Sequence, residues 1–68
     1  MYKIRVRRVQ SFLKRSELIK ILKNAGFVFE RHGGSHDVFI RGNTKEVIPR
    51  HREIDERLAR AILKRNGI

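Results

Sequence analysis

Cysteine and tryptophan are both absent from this chain of 68 residues, and proline occurs once. Without cysteine there is no disulfide to staple the fold and no thiolate for a zinc site, so packing alone must hold it and a reducing compartment suits it. Long apolar runs are missing too. Lys3, Arg5, Arg7, Arg8, Lys14 and Arg15 interrupt every hydrophobic stretch of the N-terminal end, so neither a signal-peptide core nor a membrane span is expected, and the expected location is cytoplasmic. Acids are the scarcest charged class. Seven Asp and Glu stand against seventeen Lys and Arg, which leaves a formal charge of +10. A field of that sign on so small a body gathers polyanions around it, and it favours nucleic acid over an anionic membrane, an acidic protein or a merely well-solvated surface. A chain this short is one domain with a thin core, burying only about 60% of the surface its unfolded form exposes.

Three stretches differ in pattern. Residues 1 to 13 alternate Tyr2, Ile4 and Val6 with Lys3, Arg5 and Arg7. The period of two suits a short strand or a basic arm, an N-terminal extension to a domain covering 14–68. From Ser16 to Ala25 the apolar residues Leu18, Ile21, Leu22 and Ala25 recur at i, i+3, i+4 and i+7, opposite Lys20 and Lys23, which predicts an amphipathic helix. Ser16 is its expected N-cap, Glu17 lies at the positive end of the dipole, and Gly26 suits a left-handed C-terminal residue. Phe27 to Arg31, His36 to Arg41 and Glu46 to Pro49 read as three strands, parted by turns at Gly33-Gly34 and Gly42-Asn43. Pro49 cannot donate to a ladder, so it ends the third strand or puts it at an edge. Val38 and Ile40 point one way and Phe39 the other, so the pattern leaves the buried face of the middle strand open.

The last stretch, Ile54 to Asn66, predicts a second helix. Leu58, Ala59, Ile62 and Leu63 form its apolar stripe, Asp55 and Glu56 its first turn, Lys64 and Arg65 its last, with Gly67 beyond. Arg57, Arg60 and Lys64 make a cationic stripe on the other side, able to track phosphates or simply to meet water. The order helix, three-stranded antiparallel sheet, helix predicts an α+β two-layer sandwich. It is also the layout of double-stranded-RNA-binding domains, which read A-form shape and phosphates, although an order of elements does not name a function.

Chemistry concentrates at Gly33, Gly34, Ser35, His36 and Asp37. Two glycines allow a sharp turn and close approach of a phosphate, and His36 then opens a strand. An unperturbed imidazole titrates near neutrality and can both take and give a proton. On RNA that suffices without metal: the 2′-hydroxyl attacks the adjacent phosphate once its proton is removed, and the leaving 5′-oxygen is protonated. The same residues also describe an ordinary hairpin with a surface histidine. A metal reading would use His32 and His36 across the hairpin with Asp37 or His51. This is a thin donor set with no His-x-Glu or His-Glu-x-x-His spacing, so no metal or other cofactor is expected. Ser35 precedes His36 directly, and neighbours on a strand point to opposite faces, so a Ser-His relay is poor geometry.

Ser16-Glu17-Leu18-Ile19-Lys20 leading to Ala25-Gly26-Phe27, then Gly34-Ser35-His36 with Phe39, Ile48-Pro49-Arg50-His51, and Ala61-Ile62-Leu63 with Gly67-Ile68, resemble the HicA toxin family in order and gaps. The resemblance covers Lys14 to Ile68 and leaves residues 1 to 13 outside. It implies a double-stranded-RNA-binding-domain-like fold, an endoribonuclease that cleaves mRNA and arrests translation, and a HicB-type antitoxin as partner. It also implies that His36, the histidine of the Gly-Ser-His motif, is catalytic. Gly34 and Ser35 shape the loop before it, while Arg50 and His51 match the Pro-x-His segment after the third strand. Arg31, Arg41 and Arg50 are the cations expected to steady the phosphorane, with Arg57, Arg60 and Lys64 as further substrate contacts. The competing expectation is a non-catalytic module that binds duplex or structured RNA.

Overall fold

The computed structural model describes residues 12–68. Strand β1 (Phe12–Lys14) runs directly into helix α1 (Arg15–Asn24). Strands β2 (Val28–Gly33), β3 (His36–Arg41) and β4 (Thr44–Pro49) follow, then a short β5 (Glu53–Asp55) and helix α2 (Glu56–Arg65). The alternation of Tyr2, Ile4 and Val6 lies outside the described residues. The expected α+β order of helix, three-stranded antiparallel sheet and helix is present, with sheet order β2-β3-β4. A second sheet, β1 paired antiparallel with β5, was not foreseen. Its strands have three residues each, too few to display a period, yet the pairing of Leu13 with Ile54 brings the buried Ile54 into the core.

Helix α1 begins one residue before the expected Ser16 cap. Lys14 holds the cap position in extended backbone, φ −61° and ψ 135°, and caps nothing with its side chain. The cause is continuity with β1: pairing of Lys14 with Glu53 sets its backbone, and the Arg15 N–H donates to the Arg52 carbonyl at 2.9 Å, which satisfies one of the donors that the first turn of a helix leaves without an intrahelical partner. The other three helix ends follow their residues. Asp55 caps α2 by accepting from the Arg57 N–H at 2.7 Å. Gly26 and Gly67 take positive φ of 104° and 72°. Behind them Phe27 N–H reaches Leu22 O and Ile68 N–H reaches Leu63 O, each at 2.9 Å, so both helices close with the six-to-one Schellman bond.

The helices cover one face of the β2-β3-β4 sheet. Leu18 and Leu22 of α1, Ala59 and Ile62 of α2, and Phe27, Phe39, Ile48 and Ile54 form one cluster, with Leu18, Leu22 and Ile48 wholly buried. Phe39 and Val38 are both buried, but only Phe39 joins the cluster under the helices, so Asp37 and Phe39 face the helices, and His36, Val38 and Ile40 face the other way. In β2 the register shifts by one between Phe29 and Arg31, a bulge at Glu30. Phe29 pairs with Phe39, but beyond the bulge Arg31 pairs with Val38, His32 with Asp37 and Gly33 with His36. His32 is thereby turned to the helix side and Arg31 to the open side.

Candidate active site at the β2–β3 turn

His36 is the first residue of β3 and is exposed. Its register neighbours are Gly33 on β2 and Pro49 on β4, so its partner on the β2 side carries no side chain of its own. The turn residues Gly34, with φ 48°, and Ser35 precede it. Because Ser35 sits in the turn and not on the strand, the opposite-faces argument does not apply to it. Its Oγ lies 3.4 Å from His36 Nδ1, at the outer limit of a hydrogen bond.

Two arginines contact the turn that carries this ring. Arg31 shares the open face, and its Nη1 lies 3.5 Å from where a Cβ on Gly33 would stand, which places the guanidinium over the glycine that pairs with His36. Arg50 follows β4 and holds the turn from outside. Its backbone N–H donates to Ser35 O at 3.1 Å, and its Nη2 donates to Gly34 O.

Under the turn, on the opposite side of the sheet from His36, lies Asp37, 6% exposed. Its Oδ2 accepts from Arg15 Nη2 at 2.5 Å; its Oδ1 accepts from His32 Nδ1 at 2.6 Å and from Arg50 Nη1 at 3.3 Å. A carboxylate only accepts, so the His32 hydrogen is on Nδ1 and Nε2 is left toward solvent. Arg15 Nε also donates to Pro49 O at 2.8 Å. The hydrogen bond from His32, and behind it the charges of His32, Arg15 and Arg50, hold the Asp37 carboxyl below its ordinary range, although burial pushes it the other way. Asp37 had been weighed only as a metal ligand, and Arg15 not at all. The available signal was a carboxylate in an inward-facing position of a β-prone run, where a charge is rare unless paired.

The remaining expected site residues are dispersed. Arg41 lies at the far end of β3 from His36. Its guanidinium donates to Ala25 O and Asn66 O, each at 3.0 Å, and covers the Phe27 ring at 4.7 Å, so it binds the two helix ends to the sheet. His51 is exposed in the connection to β5. Arg57, Arg60 and Lys64 are exposed on α2, in the layer away from the His36 face, and Arg57 and Arg60 lie 3.8 and 3.4 Å from Asp55 and Glu56. Among the described residues no three of His, Cys, Asp or Glu converge, and no helix is long and apolar enough to cross a membrane. What the turn presents is an exposed imidazole on a loop that two guanidinium groups touch, a proton-exchanging group in a cationic neighbourhood.

Comparison with known proteins gives one match. The family model described as HicA toxin of bacterial toxin-antitoxin covers residues 15–68, which takes in both helices and the whole β2-β3-β4 sheet. No curated protein and no solved structure matches the chain. The match extends over well more than half of the sequence and includes every residue of the turn just described, and on that ground the chain belongs to the HicA toxin family of bacterial toxin–antitoxin systems.

Proposed function

We propose that this toxin is an endoribonuclease that cuts mRNA and so inhibits translation, with His36 as its general acid or base and no metal in the step. The observation that carries the reading is the exposed His36 ring, held at a turn that Arg31 and Arg50 contact on a chain of charge +10. An RNA strand laid along the open face would bring a phosphodiester to the turn. The 2′-hydroxyl proton leaves, the 2′-oxygen bonds to phosphorus, and the P–O5′ bond breaks with protonation of the leaving oxygen. His36 handles one of those protons and water the other, and Arg31 and Arg50 face the charge that builds on the phosphorane. Gly34 and Ser35 leave room for the phosphate, and His51, next to Arg50, borders the same approach. Arg57, Arg60 and Lys64 supply a second cationic surface for the RNA backbone. A sheet with both helices on one face suits the double-stranded-RNA-binding-domain-like architecture that the family resemblance implies. A HicB-type antitoxin acting in the cytoplasm would then neutralise the toxin by covering His36.

The test is cleavage of labelled mRNA by purified protein in EDTA, with the product ends identified. His36→Ala should lower the rate by about 10² to 10⁴ fold. Its melting temperature should stay close to the parent's, because the ring is exposed. An alanine variant that cuts at the parental rate, with contaminating nuclease excluded, refutes the assignment. Wild-type protein that saturates RNA and leaves it intact favours the binding module instead.

A further inference from the structure

We propose that Asp37 is a positioning residue for the His36 site: its buried carboxylate holds Arg50 against the Gly34 carbonyl and so fixes both the turn that carries His36 and the cation beside it. This inference rests on the nuclease reading for its kinetic consequence, although not for its structural one. Asp37 cannot touch a phosphate bound at His36, since successive strand residues face opposite sides of the sheet and Asp37 is covered by the helix side. Its influence has to pass through what it holds.

What it holds is specific. One carboxylate gathers donors from three separate segments: Arg15 at the start of α1, His32 near the end of β2, and Arg50 just after β4. Arg50 is the one that reaches the site. With Nη1 on Asp37 and Nη2 on Gly34 O, its plane is pinned at two corners, and its backbone N–H closes on Ser35 O. Both turn residues are thus gripped by one side chain and its own backbone. A guanidinium has five N–H donors, and two are used here, so three remain for a phosphate on a side chain that is 41% exposed. The electrostatics explain why a carbonyl alone would not keep Arg50 there. Arg15 and Arg50 both bond to Asp37, and without that carboxylate two guanidinium groups and an imidazole would share the corner with no counter-charge, in a chain already at +10. Repulsion would turn Arg50, the more exposed of the two arginines, outward and release the turn.

The test is a double-mutant cycle on RNA cleavage with Asp37→Asn, Arg50→Ala and the pair, run well below every melting temperature and normalised to folded protein. Amide hydrogen exchange is read in the same samples. Misplacement of catalytic groups by about 1 Å costs on the order of 10² fold, so Asp37→Asn should lower kcat by about that factor with KM changed less than about threefold. If Asp37 acts through Arg50, the pair should lose no more than the worse single variant, within about twofold. Exchange at the Arg50 amide should quicken at least about tenfold in Asp37→Asn, while the Leu18 and Leu22 amides keep their parental rates. Losses that multiply in the pair, activity that falls only with the folded fraction, or an Arg50 amide that stays protected each overturn the inference. Including His36→Ala separates the two readings. If that variant cuts like the parent, the nuclease assignment fails, and the Asp37 inference is then decided by the Arg50 exchange rate alone.

Discussion

Neutralising Glu46 should weaken this fold at neutral pH and cease to matter in acid. Glu46 lies on β4, faces the helices and is 4% exposed. Its two oxygens accept from Arg65 Nε at 2.9 Å, Arg65 Nη2 at 2.6 Å and Asn66 Nδ2 at 2.7 Å, which moors the end of α2 to the sheet. The hydrogen bonds from Arg65, aided by Asn66 and by the Arg65 charge, hold the Glu46 carboxyl below its ordinary value of 4.5 against the opposing effect of burial. Glu46→Gln keeps the shape and removes the charge. Charge-assisted hydrogen bonds contribute about 1.5–3 kcal/mol and neutral ones about 1, and Arg65 is exposed enough to rehydrate, so the cost at pH 7 should be roughly 1–2 kcal/mol. For a domain of this size each kcal/mol moves Tm by about 4–8 °C, so the variant should melt roughly 4–16 °C lower. The sign follows from the direction of the shift. A depressed carboxyl stabilises the fold above its unfolded value, and that contribution disappears as pH falls through the folded value. Circular dichroism melts of both proteins from pH 7 to pH 3 should therefore show the gap in Tm shrinking below about pH 4.5. Asp37 also protonates in acid, but it is common to both proteins and cancels in the difference. Equal melting at pH 7, or a gap that is constant in pH, would refute the reasoning.

Other expectations follow from the core and the charged surface. Ile48 is wholly buried in the cluster, so Ile48→Val should cost about 0.5–1.5 kcal/mol in urea unfolding without changing the m-value; no loss at all would remove it from the core. Replacing Arg57, Arg60 and Lys64 together by alanine should flatten the dependence of RNA affinity on salt by about 2 in log–log slope, taking about 0.7–0.9 per phosphate contact. An unchanged slope would make the α2 stripe a solvated face.

Much of this architecture could be read along the chain, and the failures have physical causes. The helices showed themselves through a period of 3.6 residues, and Leu18 and Leu22 of α1 and Ala59 and Ile62 of α2 are buried as that period requires. Gly26 and Gly67 marked the helix ends because each takes a φ that a side chain would resist. Strand β3 has the expected bounds, and β4 ends at Pro49. The β1–β5 pair was invisible because three residues carry no period, and it displaced the Ser16 cap by delivering α1 an extended Lys14. At the site, His36 stood out as a titratable group beside glycines. Arg50 and Arg31 could be named but not placed, since their nearness to His36 depends on the Gly34 carbonyl and on the bulge in β2. Arg41 looked like another phosphate contact, whereas its guanidinium is spent on two helix-end carbonyls and the Phe27 ring. Long-range pairings of this kind leave no local trace.

That single extra residue in β2 also decides which histidine stands beside Asp37 and which opens the turn. Had β2 kept step with β3 through Glu30, Arg31 would stand opposite Asp37 and His32 opposite His36, so the carboxylate would exchange an imidazole for a guanidinium while two imidazoles crowded one surface. Deleting Glu30 would instead mend the ladder with Arg31 still opposite Val38 and His32 still opposite Asp37, so its effect would fall on the bend and twist of the strand and leave the facing of those side chains as it is.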